Sequence, residues 1–357
     1  MPYSKIVGTG SYLPERILRN EDLEKLVLYN LREDPDKKNP LKTSDIWMRE
    51  KGFVERRIIS EDMSIGDMGK IAALRALDNA FLDVSAVDEL IVACNSQEKI
   101  FPSVAGEIQD KLGLRKIKAY DIQAGCTASI YALDNADASI QRAANKYGNK
   151  NYTVLVVGTD ALSRIVNWTD RNTCVLFGDG AGAAILQLNH EGDGRGILAC
   201  WLATDGSGRN ALVMPSGISK ENSPFAYLEG KLKPEEKIMH EAEYFKMGGY
   251  DTFKFAVRAM RDAAVEVCKR AGIKIEDIDV LIPHDANKKI IDSAVKLLGI
   301  SSEKVYSNIQ RYANTSAPSI LINLDDANRT GRLKRENIVC LDGFGAGLTY
   351  GALIMRW

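Results

Sequence analysis

The sequence is poor in the ligands that build metal centres. Its three histidines stand far apart, at 190, 240 and 284, and its six cysteines, at 94, 126, 174, 200, 268 and 340, form no Cys-x-x-Cys pair. Zinc sites draw on clustered ligands, so no metal site is expected. A disulfide framework is out of place in a large chain without a readable export signal, and most of these cysteines read as small core residues. The opening Met1-Pro2-Tyr3-Ser4-Lys5-Ile6 lacks a basic stretch followed by a long apolar run. Apolar runs such as Val154-Leu155-Val156-Val157 are short, whereas a membrane span needs about 20 apolar residues. There is no basic excess either: Lys+Arg number 47 against 48 Asp+Glu, a formal net charge of -1. Nucleic-acid binders usually carry such an excess. The expectation is a soluble, cytoplasmic protein with neither a membrane nor a nucleic acid as partner.

What is present suits one large domain or two fused similar ones: 357 residues, 45% hydrophobic and 27% charged. The chain repeats itself. Ala72–Leu77 through Val87–Val92 has its counterpart in Ala263–Cys268 through Ile278–Pro283, without a gap. In each, an amphipathic helix leads through a polar turn into an apolar strand. Ile108–Leu114 matches Ala294–Ile300, both helix ends with a Gly stop. Cys126-Thr127-Ala128-Ser129 and Asn314-Thr315-Ser316-Ala317 then fall at equivalent points, each after an Ile-Gln pair. Tyr152–Gly158 echoes Asn337–Gly343. Helices alternating with buried strands predict an α/β architecture with a largely parallel sheet. Two copies predict pseudo-twofold halves, residues 1–190 with the cysteine and residues 191–357 with the histidine and asparagine. Their seam should bring Cys126 near Asn314.

Three residues in this frame can do chemistry. Cys126 follows Gly125 and precedes the apolar stretch Ile130-Tyr131-Ala132-Leu133. A thiol at a helix start feels the positive end of the dipole, which lowers its pKa. Taken alone, a cysteine there is more often a buried structural residue; its place opposite Asn314 changes that balance. His284 lies in Pro283-His284-Asp285-Ala286-Asn287, just past a strand, where open α/β sheets build their sites. By itself it reads equally as functional or structural. The glycine-rich segments Phe177–Gly182 and Gly343–Gly347 each precede an apolar strand. That suits close backbone approach or an oxyanion-binding amide better than a phosphate loop.

These residues resemble the thiolase superfamily, and most closely the β-ketoacyl-acyl-carrier-protein synthase III family. The resemblance runs nearly end to end. It includes Ile6–Pro14, Thr43-Ser44-Asp45, Glu55-Arg56-Arg57-Ile58, Phe101-Pro102-Ser103, Phe177–Ala183, Pro283-His284-x-Ala286-Asn287 and Asn314-Thr315-Ser316. It implies a thiolase-like fold of two βαβαβαββ halves in a homodimer, with Cys126, His284 and Asn314 as the catalytic set. It implies an acyl-CoA and malonyl-acyl carrier protein as substrates, with no cofactor beyond the coenzyme A thioester itself. Cys126 would take the acyl group, His284 and Asn314 would stabilise the enolate formed as carbon dioxide leaves, and the amides of Cys126 and Ala346 would hold the oxyanion. Trp47, Arg171 and Asn287 match coenzyme A contacts. Phe101 matches a residue reaching the neighbouring subunit's acyl pocket, and Lys254 and Lys289 match carrier-protein contacts.

The chain also departs from that pattern. Met48-Arg49-Glu50-Lys51 is one residue short and lacks the family's Arg-Thr; residues 29–42 form a polar insertion; Glu98 and Lys99 precede Phe101; Ala346 replaces a usual Gly. Glu98 and the insertion are the candidates to tune the acyl end or the mouth of the site, although a charge such as Glu98 is more often a solvated loop residue. Three other readings can be set beside it, of which the first lacks its carboxylate, the second stays open and the last is opposed by the intact Cys126, His284 and Asn314 set. Hydroxymethylglutaryl-CoA synthase shares the Cys, His and Asn but needs a Glu where this chain has Cys94-Asn95-Ser96. A natural-product relative could transfer the acyl group without decarboxylation. A silent dimer could merely bind acyl chains or carrier protein.

Overall fold

The computed structural model describes residues 3–215 and 244–357; His240 lies outside them. Val154–Ala161, buried at every position, forms a strand at the heart of a five-stranded sheet. It pairs parallel with Glu89–Ala93, which pairs parallel with Lys118–Ile122. On its other side Asp179–Leu188 and then Ser4–Tyr12 continue antiparallel. A strand covered on both faces needs no polar alternation, which is why Leu90–Ala93 and Val154–Val157 read as continuous apolar segments.

The second sheet repeats the first. Ile338–Gly345 pairs parallel with Val280–Pro283 and antiparallel with Thr349–Arg356, which pairs antiparallel with Gly196–Thr204. The fifth strand is reduced to one parallel bridge, Leu281 to Val305. Connectivity and sense are otherwise those of the first sheet.

Two helices lie between the sheets, Ala128–Tyr147 and Ser319–Arg329. One apolar core joins them, with Ile91 and Val156 from the first sheet, Ile282 and Leu341 from the second, and Leu133 and Ile320 from the helices, all essentially without exposure. Helices Ile65–Asn79 and Val104–Lys111 cover the outer face of the first sheet, and Gly249–Ala271 with Lys288–Leu298 covers the second. The result is five layers, α-β-α-β-α, with the buried helices in the centre. Buried polar contacts fix the seam: Asp325, on the second central helix, accepts hydrogen bonds from Thr9 Oγ1 at 2.8 Å and Ser11 Oγ at 2.7 Å.

The first glycine-rich segment does not simply precede a strand, as the sequence reading had it. Gly180 and Gly182 lie inside Asp179–Leu188. A Cβ on Gly182 would meet Ile322 N and Leu321 Cβ at 2.7 Å, so the glycine lets the central helix press directly onto the strand. Among the described residues no helix is long and apolar enough to cross a membrane.

Candidate active site

Gly125 adopts φ +56°, a backbone region open to glycine, and this bend carries the chain from the Lys118–Ile122 strand to Cys126 and the central helix. The second half meets it there. A Cβ on Gly345 would strike Cys126 N, and one on Gly125 would strike Ala346 N. The two backbones cross in direct contact, which brings the Cys126 and Ala346 amides to the same spot. Thr127 Oγ1 lies 3.1 Å from Thr349 Oγ1, and Ser129 Oγ donates to Ala317 O at 2.6 Å, closing the seam around the elbow.

His284 follows the strand Val280–Pro283, its N–H donating to Asp342 O at 2.7 Å. Ala286 N then donates to His284 O at 2.8 Å, a tight turn that ends at Asn287, the cap of the Lys288–Leu298 helix. Asp285 anchors this turn. It is buried and accepts from Ser307 Oγ, from Asn308 N at 3.1 Å and from Asn323 Nδ2 at 2.9 Å. Burial pushes its carboxyl up to about 6 against those donors. The same burial pushes His284 down to about 3, leaving a neutral imidazole. Its Nδ1 lies 2.7 Å from Ser319 Oγ, and Phe344 stands against the ring with centroids 5.8 Å apart.

Asn314 is held by its backbone against the first half: Asn314 N donates to Leu176 O, and Gly178 N to Asn314 O, both at 3.0 Å. Its Oδ1 accepts from Ser316 N at 2.8 Å. Cys126, His284 and Asn314 line one cavity of about 400 Å³, with Leu176, Phe177, Phe253 and Phe344 on its apolar walls. The structure thus brings together the three residues that the repeat and the resemblance singled out.

The ionisation of Cys126 differs from the sequence expectation. The dipole of the following helix was expected to lower its pKa. Burial instead pushes the thiol up to about 12, aided by the charge of Asp160 and opposed by Ser316 Oγ, 3.6 Å from the sulfur. Cys126 also stands off the helix end: the first helical residue, Ala128, comes two positions later, and the dipole falls off within the first turn.

Sequence reasoning missed the support behind the thiol. Buried Asp160 accepts from Asn95 N at 2.8 Å, Ser96 Oγ at 2.7 Å and Ala317 N at 3.2 Å. Asn95 Nδ2 reaches Gly125 O at 2.9 Å and Ser316 Oγ at 3.3 Å. Ser316 and Asn95 stood in quoted segments, but Asp160 and Ser319 carry no local signal that marks them as neighbours of the site.

The peripheral residues divide. Ser44 caps a short helix by accepting from Trp47 N at 3.3 Å, which sets Trp47 at the cavity mouth. The Arg171 guanidinium lies 4.0 Å from the Trp47 ring centre and Lys51 Nζ 4.6 Å from it. Asn287 and Lys289 line the same cavity. The 29–42 insertion reaches the mouth as well, through Asn30, Arg32 and Glu33, and Asn172 Nδ2 donates to Asn30 Oδ1 at 2.7 Å. Lys254 is exposed on the Gly249–Ala271 helix beside Arg258, bordering a separate hollow. Phe101 is 82% exposed and does not line the cavity within this chain. Glu98 does not line it either. It pairs with Arg164 and accepts from Ile65 N at 3.3 Å, contacts that suit the reading of Glu98 as a loop charge better than an acyl-end role. Among the described residues no group of three metal-ligating side chains comes together.

Residues 120–206 match the family described as 3-oxoacyl-[acyl-carrier-protein (ACP)] synthase III, and residues 268–357 match its C-terminal family. The β-ketoacyl-[acyl-carrier-protein] synthase III of Caldanaerobacter subterraneus subsp. tengcongensis is 42% identical, covering 99% of this chain and 97% of that protein. The Clostridium acetobutylicum protein of the same description is 38% identical, covering 99% and 98%. The crystal structure of 3-oxoacyl-[acyl-carrier-protein] synthase III from Aquifex aeolicus superposes with a TM-score of 0.83 at 38% identity, covering 99% of this chain and 100% of that one. These likenesses span the whole length, and with them the thiolase-like arrangement of the two sheets: the chain belongs to the 3-oxoacyl-[acyl-carrier-protein] synthase III family.

Proposed function

We propose that this enzyme condenses an acyl-CoA starter with malonyl-acyl carrier protein, releasing carbon dioxide and giving a 3-oxoacyl thioester, with Cys126 as the nucleophile. The observation that carries the assignment of roles is the convergence of Cys126, His284 and Asn314 on one cavity. In the first half-reaction the Cys126 sulfur attacks the acyl carbonyl and coenzyme A leaves. The proton of the resting thiol ends on the departing thiol. The amides of Cys126 and Ala346 stabilise the tetrahedral oxyanion. In the second, the malonyl carboxylate departs as carbon dioxide. Its electron pair passes into an enolate held by N–H donors of His284 and Asn314. The enolate carbon attacks the Cys126 acyl group and expels the thiolate, which takes one proton from solvent.

Trp47, Arg171 and Asn287 bind the nucleotide and pantetheine ends of coenzyme A, with Lys51 supplying charge where the family's Arg-Thr is absent. Lys254 and Lys289 meet the acidic carrier protein. Residues 1–190 and 191–357 act as two halves of one site. The enzyme works in the cytoplasm as a homodimer, in which exposed Phe101 reaches the partner's acyl pocket. No cofactor takes part beyond the coenzyme A thioester.

Intact-mass spectrometry after mixing with acyl-CoA tests the reading. One acyl mass should appear on the parent and none on Cys126→Ala. Malonyl-acyl carrier protein should then discharge the acyl group with one carbon dioxide per product. Acylation of Cys126→Ala overturns the nucleophile; product without carbon dioxide overturns the decarboxylative step.

A further inference from the structure

His284 and Ser319 meet in a place closed to water, with exposures of 1% and 2%. Their contact, Nδ1 to Oγ at 2.7 Å, leaves open which atom carries the hydrogen. A neutral imidazole has one N–H, so the choice fixes what the other ring nitrogen offers. If Nδ1–H donated to the serine, the Ser319 hydroxyl hydrogen would need a different acceptor. Among the described residues the side chain of Ser319 has no hydrogen-bond partner other than His284. A buried donor left unmade costs more than an acceptor with a spare lone pair. The hydroxyl therefore donates to Nδ1.

We infer that Ser319 is a positioning residue: its hydroxyl locks His284 as the Nε2–H tautomer, so that the imidazole enters the cavity as a hydrogen-bond donor and not as a base. The neutrality of the ring under burial agrees with this. So does Asn314, whose acceptor atom is likewise taken, by Ser316 N at 2.8 Å. Both side chains have their acceptors occupied from behind and present N–H groups. The consequence for the chemistry rests on the proposed condensation. As the bond between the malonyl α-carbon and its carboxylate breaks, charge gathers on the thioester oxygen. Nε2–H and Nδ2–H stabilise it without giving up a proton. The same tautomer cannot take the Cys126 proton at Nε2, so the acylation half-reaction proceeds without His284 as base.

The test uses protein labelled with 15N-histidine, the His284 signals being assigned by their loss in His284→Gln. The parent should show a pyridine-like Nδ1 and a pyrrole-like Nε2. Ser319→Ala should show the opposite tautomer or a mixture of the two. It should lose about ten- to hundredfold in carbon dioxide release, the scale of losses when a hydrogen-bond partner that fixes the tautomer of a functional histidine is removed, while its acylation by acyl-CoA holds. Ser319→Thr should restore both the signature and the rate. A protonated Nδ1 in the parent overturns the inference, and so does a Ser319→Ala variant with unchanged signature and unchanged carbon dioxide release. Should Ser319→Ala fail to fold, the parent spectrum decides alone. The tautomer is read without turnover, so a parent that never condenses would sink the proposed reaction and leave this assignment standing.

Discussion

The Ser316 amide donates to Asn314 Oδ1 at 2.8 Å, which commits the oxygen of that side chain to the backbone and leaves its Nδ2 to serve the cavity. The orientation of the amide is set by a neighbour two residues away. The chemistry is set by what remains.

Asn314→Asp should therefore be as damaging as a large truncation, although it keeps the shape. The Ser316 contact survives, but a second oxygen replaces the Nδ2 donor at the enolate. Carbon dioxide release from malonyl-acyl carrier protein should fall by about 10²–10³, the usual cost of one lost oxyanion donor. Acylation of Cys126 should persist. A near-normal rate of carbon dioxide release in Asn314→Asp would remove Asn314 from the decarboxylation step.

Cys126 should behave as a protonated thiol at rest. With burial holding it up at about 12, its thiolate fraction grows roughly tenfold per pH unit below that value. Alkylation by iodoacetamide, followed on the Cys126 peptide, should be slow at neutral pH and climb steadily through the alkaline range. A rate already flat from pH 6 to 8 would mean that the helix dipole had won after all.

Trp47→Ala should weaken the grip on the nucleotide, because the ring that Arg171 and Lys51 approach within 4.0 and 4.6 Å disappears. The expected effect is a rise of about tenfold in KM for acyl-CoA with kcat little changed, the mark of lost uniform binding. Acyl pantetheine, which lacks the nucleotide, should be used equally by parent and variant. Equal losses on both donors would place Trp47 elsewhere in the mechanism.

Glu98→Ala should leave the ranking of acyl-CoA substrates unchanged. The carboxylate is about one-third exposed and engaged with Arg164 and the Ile65 amide, away from the cavity. A surface pair of this kind contributes about 1 kcal/mol or less, so thermal denaturation should show a small loss of stability. A changed preference among apolar, hydroxylated and charged acyl tails would return Glu98 to the acyl end.

Much of the architecture was legible in the sequence because it rests on local patterns. The helix–turn–strand unit at 72–92 and its echo at 263–283 arise from hydrophobic periodicity and glycine stops. Those patterns need no distant partner to be read. Cys126 and Asn314 fell at matching points of the two copies, and a repeated fold places matching points at its seam. The α/β class, the duplication and the meeting of Cys126 with Asn314 were thus readable along the chain, while His284 was marked out only by the family resemblance.

How those residues are tuned depends on packing between elements distant along the chain. Ser316 reaches Cys126 across 190 positions of chain, and Ser319 reaches His284 across 35. Neither contact leaves a periodic trace. The raised pKa of Cys126 follows from burial, and burial depends on which layers close over the thiol, which the adjacent helix alone does not reveal. Glu98 looked like a charge beside an acyl pocket because Phe101 follows it in sequence, yet Arg164 and the Ile65 amide at the start of an outer helix hold it. Pattern along the chain places a residue on an element. Protonation, tautomer and partner follow from the desolvation and hydrogen bonds that elements distant in sequence impose on one another once packed.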